Sequence, residues 1–271
     1  MFELIEKHRP LYVMDLLQCP TNEGAVEYWK HSVTGFKKFL ESEFTTTITD
    51  NAIEESIQAS NIKNSLVEEI FAFGAHKPSV ITWQEMYEVA TYAMVSSGAE
   101  TIAKLQEIIA TLTERREKGF FTSEENAKRV LITGCPIGGD VLKVLKLVDE
   151  EGATIVGLDS CTGLKPYAGR IEEGSGDPLM AIAKRYLEIP CACMTPNTGR
   201  TDTLNKQVAL LKPDLVIDLV LQSCHTYNVE AVKIESYVRN DLGVNYLKVV
   251  TDFSAQDLGQ LKTRIGAALE M

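Results

Sequence analysis

The fold is indicated most clearly by the stretch Asp214-Leu-Val-Ile-Asp-Leu-Val-Leu-Gln-Ser-Cys-His-Thr-Tyr227. Its apolar run from Leu215 to Leu221 is typical of a strand that is buried on both faces, as the strands of a parallel α/β sheet are. Soon after this run come Cys224, His225 and Tyr227. Because ligands bind at the carboxyl ends of strands in open parallel sheets, the stretch predicts a functional site at the end of this strand.

Two other apolar runs in the second half of the chain also lead to a cysteine. Val130–Gly134 is followed by Cys135, and Ala153–Asp159 is followed shortly by Cys161. Neighbouring strands lie about 4.8 Å apart, so we expect thiols at three strand ends to converge in one small volume. Thiolates are soft ligands that suit iron and zinc, which makes the cysteines candidate metal or cluster ligands. The alternative is that they are ordinary buried residues.

Strands and helices alternate through the second half of the chain. This rhythm predicts a four-stranded parallel sheet with right-handed crossovers. The long connection between the second and third strands holds a further helix, at 177–187, and segments rich in Gly, Pro, Cys and Thr, which are typical of functional loops. The predicted strands lie near 130–134, 154–158, 215–221 and 246–250, and the helices near 139–150, 200–211, 229–240 and 255–270.

The first half of the chain is predicted to be mostly helical, with one short strand at Leu11–Leu17 that ends near Cys19. Thr49 is expected to begin one helix, and Thr82 with Glu85 forms a capping box that predicts the start of another. The fold class is therefore α/β, a helical middle segment plus a C-terminal Rossmann-like four-stranded parallel sheet. We predict two domains, a mostly helical segment at 1–122 and a Rossmann-like domain at 123–271.

Composition excludes some classes of function. The chain has 271 residues, a net charge of −11 and a hydrophobic share of 45%, which is ordinary for a globular protein. An acidic chain is unsuited to the phosphate backbone, so no nucleic-acid partner is expected. No apolar run reaches the roughly 20 residues that span a bilayer, and the N-terminus lacks the order of a secretory signal. We therefore expect a cytoplasmic protein with no membrane partner and with reduced cysteines.

Local motifs leave several chemistries open. Gly134-Cys-Pro-Ile-Gly-Gly139 follows a strand, but Pro136 stands where a dinucleotide-binding loop has its second glycine. Cys191-Ala-Cys193 lacks the spacing of a thioredoxin motif and forms only half of a zinc knuckle. His225 and Tyr227 are candidates for hydrogen bonds to a metal ligand or for proton donation; the alternative for Tyr227 is packing at the rim of the sheet.

Six short blocks are spread along the chain: Leu131–Gly139, Cys161–Gly163, Gly176–Leu179, Ile189–Met194, Leu219–His225 and Thr251–Arg264. Taken together, they resemble the 2-hydroxyacyl-CoA dehydratase and benzoyl-CoA reductase superfamily. The cysteine-rich form of the blocks is most similar to its double-cubane cluster branch. The resemblance covers essentially the whole chain.

The resemblance implies an iron–sulfur cluster, either [4Fe-4S] or double-cubane, bound between two Rossmann-like domains. It also implies an ATP-dependent iron–sulfur activator that supplies a low-potential electron, an acyl-CoA or other small-molecule substrate, and a homodimer or a heterodimer with a related subunit. The last cluster-ligand cysteine of the family falls on Cys224. In the double-cubane branch, Cys135, Cys161 and one of Cys191 and Cys193, with Cys193 preferred, would be further ligands.

The chain departs from the family pattern at its N-terminus. Family members normally carry a preceding domain with further ligand cysteines, directly followed by a segment that matches Met1–Leu4 here. We therefore expect this domain to be absent, so that Cys224 alone cannot complete a three-cysteine site and Cys19 is a candidate replacement. The expected function is a dehydratase or reductase subunit or fragment. The alternatives are a double-cubane reductase of small molecules and a truncated, non-catalytic scaffold that binds a partner.

Overall fold

The computed structural model describes residues 2–271, except for the side chain of Glu3. The chain forms two compact units. The first comprises the chain up to Asn61 together with Gly169–Asn197, and the second comprises Ile62–Ala168 together with Thr198–Met271. The domain boundary predicted from the sequence, between residues 122 and 123, lies inside the second unit. That division into domains stays a prediction.

The described residues form helices and four strands. None of these helices is both long enough and apolar enough to cross a membrane. In chain order the elements are α1 (Phe2–Ile5), α2 (Ala25–Glu43), α3 (Asp50–Ala72), α4 (Trp83–Val95), α5 (Gly98–Glu117), β1 (Arg129–Gly134), α6 (Lys143–Glu150), β2 (Thr154–Asp159), α7 (Pro178–Leu187), α8 (Thr198–Leu211), β3 (Leu215–Leu221), α9 (His225–Ser236), β4 (Asn245–Thr251) and α10 (Leu258–Leu269).

The first unit is built from helices, among which α2 packs against α7. Helix α7 begins where the sequence predicts, because the Asp177 carboxylate accepts a hydrogen bond from the Met180 backbone N–H (3.0 Å) and Pro178 occupies the first turn. The Thr49 hydroxyl likewise accepts from the Ala52 N–H at 3.2 Å, which confirms the predicted start of α3.

The strand predicted at Leu11–Leu17 is wrong, because this segment has no regular secondary structure. Its side chains pack on helix α2 instead. The Tyr12 ring lies 5.8 Å from the Phe36 ring and 5.4 Å from the Phe39 ring, between centroids. An apolar run of this kind buries its side chains equally well as an irregular segment on a helix, so its composition did not distinguish the two outcomes.

The second unit contains the predicted four-stranded parallel sheet, in the order β2-β1-β3-β4. All residues of β1 and all but the last residue of β3 are buried, as the continuous apolar runs indicated. Leu131, Val156 and Val216 of three adjacent strands form one core cluster with Leu204 of α8 and Ile234 of α9. The parallel arrangement brings the carboxyl ends of all four strands to the same edge.

Two helix starts in the second unit depart from the sequence expectations. Helix α9 begins at His225, four residues before the predicted position near 229. Helix α10 begins at Leu258, and its N-cap residue Asp257 makes no capping hydrogen bond. The Asp257 carboxylate instead pairs with Lys143 and accepts from the Thr251 hydroxyl at 2.6 Å. It therefore bonds residues from other elements and not the backbone N–H groups of its own helix. The capping box of Thr82 and Glu85 is confirmed.

Candidate thiol site

Three of the predicted site cysteines lie at one edge of the sheet. Cys135 directly follows β1, Cys161 follows β2, and Cys224 is the N-cap residue of α9 just after β3. Because β1 lies between β2 and β3, Cys135 belongs to the central strand of the three. The topology therefore delivers the predicted cysteines to the carboxyl edge, where parallel sheets bind ligands.

Cys135 and Cys224 are brought into direct interaction by the close approach of β1 and β3. The Cys135 N–H donates to the Leu219 carbonyl at 2.8 Å, and the Leu221 N–H donates to the Cys135 sulfur at 3.3 Å. The Leu221 carbonyl in turn accepts from the Cys224 N–H at 3.0 Å, so both cysteines are tied to Leu221. Gly134 permits this approach, because its φ is +114° and a Cβ there would lie 2.2 Å from the Leu219 oxygen.

The two thiols differ in acidity. The pKa of Cys135 is raised to about 12, mainly by burial; the neighbouring Cys224 and Asp218 act in the same direction, and the hydrogen bond from the Leu221 N–H opposes them. Burial acts in the same direction on Cys224, but hydrogen bonds from the Tyr227 N–H, the Thr226 hydroxyl and Cys135 bring its pKa below the ordinary value. Cys224 is therefore the more acidic thiol of the pair, and it forms the thiolate, which binds metals and attacks electrophiles, more readily than Cys135 does.

The other predicted ligand cysteines, Cys161 and Cys193, lie in different units. Cys161 lies in the turn after β2 and is partly exposed. Cys193 belongs to the first unit, where it packs with Cys191 against Met194 and its neighbours. In the described part of the chain, no three His, Cys, Asp or Glu side chains are placed to hold a metal ion. The ligand roles of the four cysteines therefore stay predictions.

The donor atoms of Cys135 and Cys224 fit an iron–sulfur cluster only in part. Thiolates are the ligands that such clusters require, but a [4Fe-4S] cluster takes four of them. Two interacting thiols supply only part of a ligand set. Among the described residues, no third donor is grouped with them. These residues alone do not fit a complete cluster.

Tyr227, predicted as a neighbour of the site, is buried between two cations. The Lys165 ammonium donates to the Tyr227 hydroxyl at 3.3 Å, and Lys165 is itself buried. The Arg200 guanidinium lies 4.8 Å from the centre of the Tyr227 ring, within the range of a cation–π interaction. His225, the other predicted neighbour, is the exposed first residue of α9. Two buried cations thus contact Tyr227, which lies in the first turn of α9, the helix that Cys224 caps.

Arg200 also belongs to a buried ionic network that the sequence reasoning missed. Its guanidinium binds Asp218 Oδ1 at 3.2 Å and Glu230 Oε2 at 2.5 Å, and the Tyr246 hydroxyl donates to Asp218 Oδ2 at 2.9 Å. Burial raises the pKa of Asp218, which Arg200 and Tyr246 oppose. The signal was present in the sequence, because Asp218 is a charge inside a strand predicted to be buried on both faces, which requires a partner.

Comparisons with known proteins match the chain over its full length. Residues 1–271 match the family described as 2-hydroxyglutaryl-CoA dehydratase, D-component. YjiM of Escherichia coli (strain K12), named as a dehydratase subunit, is 32% identical over 272 residues, which cover 100% of this chain and 70% of the relative. The lactoyl-CoA dehydratase subunit beta of Anaerotignum propionicum is 23% identical over 261 residues, which cover 93% of this chain and 67% of the relative.

Proposed function

Because the chain belongs to the 2-hydroxyglutaryl-CoA dehydratase D-component family, we propose that it is a subunit of an iron–sulfur-dependent 2-hydroxyacyl-CoA dehydratase or benzoyl-CoA reductase-like enzyme. The observation that carries this proposal is that Cys135 and Cys224 both hydrogen-bond Leu221 at the carboxyl edge of the sheet. The family is described as a component of an enzyme, and both relatives are named as dehydratase subunits, which supports the assignment as a subunit.

In this proposal, Cys224 and Cys135 contribute part of the ligand set of a [4Fe-4S] or double-cubane cluster. The lowered pKa of Cys224 favours the thiolate that iron binds. The remaining ligands come from further thiolates, with Cys161 and Cys193 as candidates in this chain and a related subunit as the other source. When bound, the cluster supplies the one-electron chemistry, and an ATP-dependent activator provides the electron. The substrate in this proposal is an acyl-CoA thioester.

The second candidate function is a double-cubane reductase of small molecules. It is favoured by Cys161, a third cysteine at the same sheet edge. Substrate profiling of the activated enzyme separates the two candidates, because the dehydratase converts 2-hydroxyacyl-CoA thioesters to enoyl-CoA thioesters and the reductase does not. Chromatography of the CoA esters detects this product directly.

The proposal is tested by anaerobic expression of the chain, followed by quantification of iron and acid-labile sulfide and by visible spectroscopy. We expect thiolate-to-iron absorption that is lost when Cys135, Cys161 and Cys224 are all replaced by serine. Ser236→Ala, at the exposed C-terminal end of α9, is the control substitution and should retain the iron. A triple variant with the same iron and sulfide content as the wild type would refute the proposal.

A third outcome is a folded, iron-free wild-type chain. Titration with the related subunit then distinguishes shared ligands from a non-catalytic scaffold. Iron that binds only in the presence of the related subunit supports ligands contributed by two chains. A stable complex of the two subunits that binds no iron supports the scaffold.

A further inference from the structure

The first unit contains an apolar pocket of about 460 Å³. Its walls come from α2, α3, α7 and the segment before α2, with side chains such as Val33, Phe36, Ile57 and Leu179. Pockets that bind small molecules usually measure about 300–1,000 Å³ and are mostly apolar, with a few polar groups that orient the ligand. The pocket has the size and the wall chemistry of a site for an apolar small molecule.

The polar groups in its wall are few. Among the residues that the structure describes, Lys37 is the one charged residue that lines the pocket, in a chain with a net charge of −11. Its ammonium lies 3.6 Å from Asp50 Oδ1, but the Asp50 side chain is 73% exposed, so this pair is weak. Lys37 is therefore available to bind a ligand oxygen in place of Asp50.

Trp29 supplies a second polar group to the same wall. Its indole Nε1 is buried and has no hydrogen-bond partner among the described residues. Buried polar groups are nearly always paired, so an unpaired donor in a pocket wall needs an explanation. Because solvent does not reach Nε1, a ligand oxygen would supply the missing acceptor only after the indole turns toward the pocket.

We infer that this pocket binds an apolar carbon chain whose terminal carbonyl oxygen is held by Lys37. The long apolar wall selects the carbon chain, and the single cation selects the carbonyl end. Two sources share this chemistry, a free medium-chain carboxylate and an acyl thioester. The thioester source rests on the proposed function, whereas the carboxylate source does not.

The pocket carries its own reporter for a binding experiment. Trp29 and Trp83 are the two tryptophans of the chain, so Trp83→Phe leaves the fluorescence of Trp29 alone. Titration with hexanoate, octanoate and decanoate should give binding that tightens about fourfold per added methylene until the pocket is full. Octanol, which lacks the carbonyl oxygen, should bind more weakly than octanoate. Calorimetry on the wild-type chain repeats the series without the Trp83 substitution.

Lys37→Met tests the role of the cation. It should weaken octanoate binding about tenfold or more and change octanol binding less than twofold. Lys38→Met is the matched control, because Lys38 is exposed and does not line the pocket, and it should leave both affinities unchanged. Ser60→Leu places a larger side chain in the wall and should weaken every ligand of the series.

Octanoyl-CoA distinguishes the two sources. Tighter binding of octanoyl-CoA than of octanoate assigns the pocket to an acyl thioester, the reverse order assigns it to a free carboxylate, and both support the inference. Affinity independent of chain length, or equal effects of Lys37→Met and Lys38→Met, would overturn it. Quenching of the Trp29 fluorescence that depends only on the protein concentration would also overturn it, because such quenching indicates that a second copy of the chain occupies the pocket. The assay needs no iron, activator or partner subunit, so its failure is separate from failure of the proposed function.

Discussion

Replacing Arg200 by methionine should destabilise the protein by about 3–5 kcal/mol at neutral pH, the cost of leaving a buried charge without its partner. The Arg200 side chain has no solvent exposure, and neither has Asp218, 3.2 Å away. Methionine keeps the apolar stem of the side chain but not the guanidinium, so the loss combines the missing charge with the space that the guanidinium leaves. The Tyr246 hydroxyl, 2.9 Å from Asp218, remains as a donor but carries no charge.

The loss of stability should depend on pH. Burial already raises the pKa of Asp218 in the folded protein, and Arg200 opposes that rise. Without Arg200 the pKa of Asp218 in the folded protein rises further, while its pKa in the unfolded chain stays at about 3.9. A folded state that binds the proton more readily is most stable below the unfolded pKa and loses stability as pH rises through the folded pKa. The deficit of the variant should therefore be larger at pH 8 than at pH 5.

Urea unfolding followed by circular dichroism at both pH values measures the deficit. Lys104→Met is the matched control, because it removes an exposed cation 2.9 Å from Glu107, and it should cost less than about 1 kcal/mol at either pH. If Arg200→Met is no more harmful than Lys104→Met, and its deficit does not change with pH, the assignment of Arg200 as the counterion of a buried carboxylate is refuted.

Three further outcomes are expected. In the metal-free reduced chain, iodoacetamide at pH 7.5 should modify Cys224 well before Cys135, because the pKa of Cys224 lies below its ordinary value and that of Cys135 is about 12; peptide mass spectrometry gives the order, and equal rates would contradict it. Mild oxidation with diamide should join these two cysteines, and a disulfide map without that pair would argue against their interaction. Gly134→Ala should lower the free energy of unfolding in urea by more than about 2 kcal/mol, because its Cβ would lie 2.2 Å from the Leu219 oxygen. Gly152→Ala has a similarly positive φ of +76° but open space around the new Cβ, and it should lower the free energy of unfolding by only about 1 kcal/mol.

The sheet and its thiol edge were predictable because they depend on local patterns and topology. The apolar run of β3 is continuous, which indicates a strand buried on both faces, and parallel strands send their carboxyl ends to one edge. From these two facts alone, Cys135, Cys161 and Cys224 were expected to share one small volume. The structure places all three after strands that end at the same edge, and it ties Cys135 and Cys224 to Leu221; the convergence of the three thiols stays a prediction.

The buried cations at the site were not predictable in the same way. Lys165 lies in the connection after β2 and Arg200 lies in α8, and only the packing of the unit decides that both meet Tyr227. Asp218 indicated that a partner exists but did not identify it. The strand expected at Leu11–Leu17 failed for a related reason, since a short apolar run does not say whether a sheet edge or a helix will cover it.

The buried network ties together the elements that carry the strand-end cysteines. Arg200 pairs with Asp218 of β3 and Glu230 of α9, and it lies 3.5 Å from the hydroxyl of Thr133 in β1, which donates to Asp159 of β2 at 2.8 Å. Each cysteine of the sheet edge follows one of these strands or caps this helix. A buried ionic network fixes the relative positions of its members, so we expect this network to hold the strand-end cysteines in place. The buried charge of Asp218 would then have a role that apolar packing alone does not supply.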